Sequence, residues 1–154
     1  MVVSIYIIMT EKPKIYFAHP YGTRGSKTEA RIRNILSERY DVLDPFIEEG
    51  NLEIKHGGMY YEVTTMQFAK DVVATDWKNW NSCDEYFGWF PKGHAVIGTT
   101  CELMWSLYEG IPITVLSRSY HPFLLDYADN FYTTIKSLSK WKPFDRQTLK
   151  VVKK

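Results

Sequence analysis

Residues 76–116 read DWKNWNSCDEYFGWFPKGHAVIGTTCELMWSLYEGIPITVL, and the punctuation of this stretch decides the fold. Asp84 to Phe90 is short, aromatic and closed by Pro91, the pattern of a strand. Gly98-Thr99-Thr100 then offers a flexible turn with hydroxyls suited to capping a helix start. The helix that follows places Leu103, Met104 and Leu107 on one face, its expected core side. Gly110 stops it, and Pro112 opens a second buried strand, Ile113 to Leu116. Glu102 falls in the first turn of this helix, near the end of the preceding strand. There the helix dipole favours the ionised carboxylate, the state a nucleophile needs. Taken alone, Glu102 reads first as a solvated first-turn acid, because Ser106 and Glu109 share its polar face.

Upstream, Lys14 to Ala18 is a first strand, ended by His19-Pro20-Tyr21-Gly22. Ser26 is a helix N-cap with Glu29 as capping-box partner, and Ala30, Ile32, Ile35 and Leu36 mark the core face of a helix ending near Tyr40. Asp41 to Pro45 is a short second strand. This β-α-β order implies a right-handed crossover and parallel strands. Phe46 to Gly58 reads as a mobile loop. Tyr60 to about Asn81 is helix-compatible, with Val63, Met66, Phe68, Val72 and Val73 as core contacts. Downstream come a short helix over Phe123 to Tyr127 and a final strand over Phe131 to Ile135, where β-branched residues cluster. The expectation is one α/β domain over residues 1–154, Rossmann-like or flavodoxin-like, with about five parallel strands and helices on both faces. Ligands bind such sheets at the carboxyl ends of the strands. That rule points at His19 to Gly22, Asp44 to Phe46, Trp89 to Ile97 and the residues after Leu116.

A chain of 154 residues supports one domain with a sizeable core. Its aromatic share is 16%, with eleven Tyr and five Trp, which favours a site or interface built from flat amphipathic surfaces. A formal charge of +1 gives no electrostatic case for binding nucleic acid or membranes. Met1 to Ile8 is too short to span a bilayer and lacks a basic leader. Residues 1–13 read either as an N-terminal extension, with Met9 a natural start, or as an added edge strand. Residues 140–154 read as a basic, solvated tail. Cys83 and Cys101 sit in apolar contexts and form no CxxC, and the histidines form no HxxxH, so no metal site is expected. The absence of a disulfide framework fits a cytoplasmic location. No P-loop, GxGxxG or GxSxG is present, and no cofactor is expected. What remains is carboxylate chemistry, from Glu102, from Asp76 at the end of the preceding helix, and from Tyr16 on the first strand.

Tyr16-Phe17-Ala18-His19-Pro20, Asp76, Asp84, Gly98-Thr99-Thr100-Cys101-Glu102-Leu103, Gly110-Ile111-Pro112 and Asp129-Asn130, in this order and spacing, resemble the nucleoside 2-deoxyribosyltransferase family. The likeness covers most of Lys14 to Ile135 and rests on order more than on any one motif. It implies cleavage of the N-glycosidic bond of a 2′-deoxynucleoside and transfer of the sugar to another base. On that resemblance Glu102 is the nucleophile, Asp76 assists proton transfer at the base, and Tyr16 orients the Glu102 carboxylate. His19, Pro20, Tyr21, Asp44, Gly98 and Thr99 would contact the substrate, with Tyr21 packing on the nucleobase. Asn130 would reach the sugar's 5′ end in a neighbouring subunit, because family sites are completed across an interface. The partners implied are small molecules and a second copy of the chain, as a homodimer or larger assembly. One position departs from the pattern: members acting on free deoxynucleosides often carry an acid six residues before the nucleophile, and here that residue is Val96. The departure leaves room for a related enzyme hydrolysing deoxynucleoside 5′-monophosphates, with Gly98 to Thr100, Arg24 and Lys27 near the phosphate. A nucleotide-binding module without turnover is the competing reading from another class.

Overall fold

The structure, a computed structural model, describes residues 11–46 and 65–145. Alternation of apolar side chains within short strands builds its layers. Strands β1 (Lys14–Ala18), β2 (Asp41–Leu43), β3 (Glu85–Phe90), β4 (Ile113–Ser117) and β5 (Asn130–Tyr132) form one sheet in the order β2-β1-β3-β4-β5, every pairing parallel. Between and after them run α1 (Lys27–Ser37), α2 (Met66–Asn81), α3 (Ile97–Glu109), α4 (Pro122–Tyr127) and α5 (Ile135–Ser139). Successive strand residues point to opposite faces. Ile15, Phe17, Phe87 and Leu116 therefore meet Ile32, Ile35 and Leu36 of α1 and Leu138 of α5 on one face. Tyr16, Ala18, Tyr86, Phe90, Ile113 and Val115 meet Trp80 of α2 and Leu103 of α3 on the other. Both faces are covered, as a parallel sheet requires. The chain reverses direction across the sheet between β1 and β3, the switch point where this strand order binds its ligands.

Two aspartates set the register at the opposite, amino-terminal end of the strands. Asp84 Oδ2 accepts from the Lys14 amide at 2.8 Å, and Asp129 Oδ2 accepts from the Ile113 amide at 2.7 Å. Each satisfies the first amide of a neighbouring strand, so both are clamps on the sheet. Gly88 marks a different constraint. A Cβ there would lie 2.6 Å from Tyr86 Oη and 2.7 Å from Phe90 Cε2, both in the sealed core. Overpacking of this kind costs ~1–3 kcal/mol, so Gly88→Ala is expected to lower the melting temperature by roughly 4–10 °C. Thermal unfolding followed by circular dichroism checks this; an unchanged midpoint would mean that the two rings move aside freely.

Several expectations change. The third helix starts at Ile97, so Gly98 to Thr100 lie inside its first turn and cap nothing by side chain. The Thr100 hydroxyl instead donates back to the Val96 carbonyl at 2.7 Å, which leaves Glu102 in the second turn. Met104 and Leu107 are exposed, and the buried face is Thr99, Glu102, Leu103 and Ser106. In α1 Ala30 is exposed while Glu29 is buried, and in α2 Met66 and Val73 are exposed beside buried Phe68, Val72 and Trp80. The final strand ends at Tyr132, and Ile135 opens α5, because Thr134 caps a helix with Ser137 in a reciprocal capping box. Cys101 is exposed and Cys83 only partly buried. The described part of the basic tail packs on the domain: Arg39 lies 4.1 Å over the Trp141 ring, and the Phe144 amide donates to the Phe131 carbonyl. Residues 1–10, Phe46's continuation through residue 64, including Val63, and residues 146–154 lie outside the described residues. Gly110 does end α3, at a φ of 70°, with the Ile111 amide bonded to the Ser106 carbonyl as in a Schellman cap.

Candidate active site

The switch point between β1 and β3 gathers the acidic residues singled out above. Tyr16 projects from β1 toward α3, and its hydroxyl donates to Glu102 Oε1 at 2.7 Å. Both side chains are buried; Glu102 is only 6% exposed. A second link crosses from α2: the Trp80 indole N–H donates to Ser106 Oγ at 2.8 Å, and Ser106 Oγ donates to the Glu102 carbonyl at 2.9 Å. Asp76 and Trp80 are four residues apart on α2, as are Glu102 and Ser106 on α3. Residues at this spacing share a helix face, so Asp76 faces Glu102 one turn from the Trp80–Ser106 bond. The Tyr86 hydroxyl donates to the Thr99 carbonyl at 2.7 Å and holds the start of α3 against β3.

Electrostatics at Glu102 run opposite to the sequence expectation. Burial, reinforced by the negative charge of Asp76 and offset in part by the Tyr16 hydrogen bond, pushes its carboxyl up to about 8. The helix dipole acts mainly within the first turn. A second-turn position and loss of water outweigh it. The same burial, with the Glu102 charge, raises the Tyr86 phenol well above its ordinary value.

Beside this pair lies a second buried network. His19 Nδ1 meets Thr23 Oγ1 at 2.7 Å, and that hydroxyl donates its proton to the Pro20 carbonyl, so His19 Nδ1 is the donor to Thr23. His19 Nε2 meets Asp44 Oδ2 at 3.3 Å. Arg33 pairs with both Asp44 and Glu29, and the Glu29 carboxylate also accepts from the Gly25 amide at 3.1 Å. Burial works to raise the Asp44 pKa, but the His19 and Arg33 contacts and the Phe46 amide hold it below the ordinary value. His19, Glu29 and Asp44 lie close enough to hold a cation; the Arg33 guanidinium supplies that positive charge. The network fixes the loop after β1 to the end of β2 and surrounds a small cavity of about 160 Å³ beside Phe46.

Pro20 is buried in this loop, and Tyr21, half-buried, meets the Phe46 ring edge-on at 5.6 Å. The fold thus brings Tyr16, Glu102 and Asp76 together, and His19, Pro20, Tyr21 and Asp44 beside them. Thr99 is buried with its carbonyl engaged, and Gly98 is exposed in the first turn of α3. Asn130 is exposed on the edge strand, in register with Thr114 and two strands from β3; within this chain it does not join the group. Sequence reasoning missed Arg33, Thr23, Trp80 and Ser106. The i, i+4 spacings of Glu29 with Arg33 and of Asp76 with Trp80 are the signals that could have found Arg33 and Trp80.

No protein-family model and no curated protein matches the sequence. Among solved structures, a conserved protein from Enterococcus faecalis matches at a TM-score of 0.47 and 17% identity, over 84% of this chain and 87% of that one. The 2-deoxyribosyltransferase of Bacillus psychrosaccharolyticus matches at a TM-score of 0.60 and 20% identity, over 88% of this chain and 94% of that one. This chain is an α/β domain that shares its fold with that deoxyribosyltransferase.

Proposed function

We propose that this protein cleaves the N-glycosidic bond of 2′-deoxynucleosides and transfers the sugar to another nucleobase. The observation that carries the reading is the buried Glu102 carboxyl, hydrogen-bonded by Tyr16 and facing Asp76. In the reactive arrangement Glu102 is ionised and the shared proton sits on Asp76. Glu102 attacks the anomeric carbon, the glycosidic electron pair leaves with the base nitrogen, and Asp76 protonates that base. An incoming base then displaces Glu102 from the sugar and returns a proton to Asp76. One ionised carboxylate and one proton donor suffice for a retaining transfer, and the negative charge of Glu102 stabilises the oxocarbenium-like transition state. Tyr21 packs on the base, and Asn130 completes the sugar site of a neighbouring copy. The exposed Met66, Val73 and Trp77 of α2 are apolar surface that such a homo-oligomer would cover.

A second reading, hydrolysis of deoxynucleoside 5′-monophosphates, is favoured by Val96 at the position where an acid would meet the sugar hydroxyl. Chromatography separates the two. Purified protein is incubated with each deoxynucleoside, with and without a different free base, and in parallel with the monophosphates. New deoxynucleoside supports transfer; free base released chiefly from monophosphates supports hydrolysis; turnover of neither sinks both and leaves a binding module. Tyr16→Phe tests the alignment of Glu102. Hydrogen bonds to charged groups contribute about 1.5–3 kcal/mol, so the rate is expected to fall roughly ten- to hundredfold. The Tyr16 bond also favours the ionised Glu102, so the alkaline limb of the pH profile, where the pair loses its shared proton, moves to higher pH in the variant. An unshifted limb would mean that the phenol does not act on the carboxylate.

A further inference from the structure

Glu102 occupies one flank of α3; the opposite flank borders a larger cavity, of about 830 Å³, at the carboxyl ends of β3 and β4. Thr100 and Met104 line it, and each is two residues from Glu102, about 200° around the helix. Its size falls within the range of small-molecule sites. Its walls are apolar: Val96, Leu103 and Met104 from α3, Phe90 from β3, and Phe123 and Leu124 from α4. Phe123 is 61% exposed, and among the described residues its ring meets only rings of its own segment, stacking on His121 at 5.6 Å and tilted against Tyr127 at 5.8 Å. The charge is one-sided. Lys92 and Arg118 line the cavity, and no lining residue is acidic. Among the described residues neither cationic side chain forms an ion pair or hydrogen bond. Ser117 and Ser119 hold the Arg118 turn in shape, the Ser119 amide donating to Ser117 Oγ at 3.1 Å.

We propose that this cavity is a second ligand site, on the far flank of α3 from Glu102 and meeting the proposed substrate site at Val96, for a planar aromatic anion: a ring system held between α3 and α4, with one anionic group met by Lys92 and Arg118. Aromatic and aliphatic walls bury the ring, and two unpaired cations at the mouth select the charge. The cavity also abuts the loop after β1. His94 lines it, with Nδ1 2.9 Å from where a Cβ on Gly22 would lie, next to Tyr21.

The probe is 8-anilinonaphthalene-1-sulfonate, an aromatic ring system with one anionic group whose fluorescence rises in apolar surroundings. Wild type is expected to bind it saturably, one per chain. Lys92→Ala with Arg118→Ala, both at exposed positions, weakens binding at least about tenfold, and Leu124→Trp, which fills the cavity, removes it. Glu102→Gln leaves the affinity unchanged, so failure here and failure of the glycosyl-transfer reading are told apart. Displacement by adenosine 5′-monophosphate identifies a nucleotide ligand, and displacement by 2-naphthoate alone identifies an aromatic acid. Non-saturable binding, equal affinity in the double variant, loss in Glu102→Gln, or displacement by neither competitor overturns the proposal.

Discussion

Glu102→Ala is expected to abolish measurable glycosyl transfer, lowering the rate by roughly a thousandfold or more, the scale on which nucleophile deletions act. On the proposed mechanism the cause is direct: without this carboxylate no covalent sugar intermediate would form. Wild-type rates in the variant would place the chemistry elsewhere. Glu102→Gln adds a stability readout independent of substrate. The folded pKa, about 8, lies above the ordinary 4.5. Between those values the native state keeps a proton that the unfolded chain has released. The native state binds more protons there, so stability falls as pH rises through the window. Glutamine carries no such proton. The variant should therefore melt near wild type at pH 4.5 and increasingly above it as pH approaches 8, by several degrees. Melting curves across that range check the sign, and a constant difference would mean that burial does not govern this carboxyl.

Asp76→Asn is expected to have the second largest effect, and in two directions. Removing a proton donor typically lowers rates by roughly 10²–10⁴. The charge of Asp76 is also one cause of the raised Glu102 pKa, second to burial. In wild type kcat/KM should fall above about pH 8, where the pair loses the one proton that it shares. In Asp76→Asn the maximal rate drops and the alkaline fall is lost: the rate instead rises with pH as Glu102 ionises, at a lower pH than in wild type because the repelling charge is gone. Two coupled carboxyls titrate as a unit, so the shift is a property of the pair. A lower rate with the alkaline limb retained near pH 8 would mean that Asp76 does not share that proton with Glu102. An unchanged rate would remove it from the mechanism.

These effects turn on distances that the chain does not write locally. Tyr16 and Glu102 are 86 positions apart, and Trp80 and Ser106 are 26 apart. The order and spacing of the short motifs were enough to group Tyr16, Asp76 and Glu102 as candidates. They were not enough to find Arg33, whose guanidinium lies between Glu29 and Asp44. They also did not separate Asp84 and Asp129, which clamp the sheet, from acids beside the site.

What the sequence by itself determined was local. Alternation made Ile15 to Ala18 and Tyr86 to Phe90 into two-faced strands, Ser26 began α1, and Gly110 ended α3 through a left-handed backbone that glycine adopts at no steric cost. Backbone preference and capping act over a few residues, so a few residues suffice to read them. Only the tertiary structure decided which apolar positions are buried, leaving Met104 and Leu107 outside while Ser106 and Glu102 went in. It also decided the charge state of Glu102. That carboxyl reads as a dipole-stabilised anion on its own helix, and packing beneath β1 and α2 removes its water and sets Asp76 against it. Desolvation depends on everything within a few ångströms, whatever its place in the chain, and that information exists only once the chain has folded.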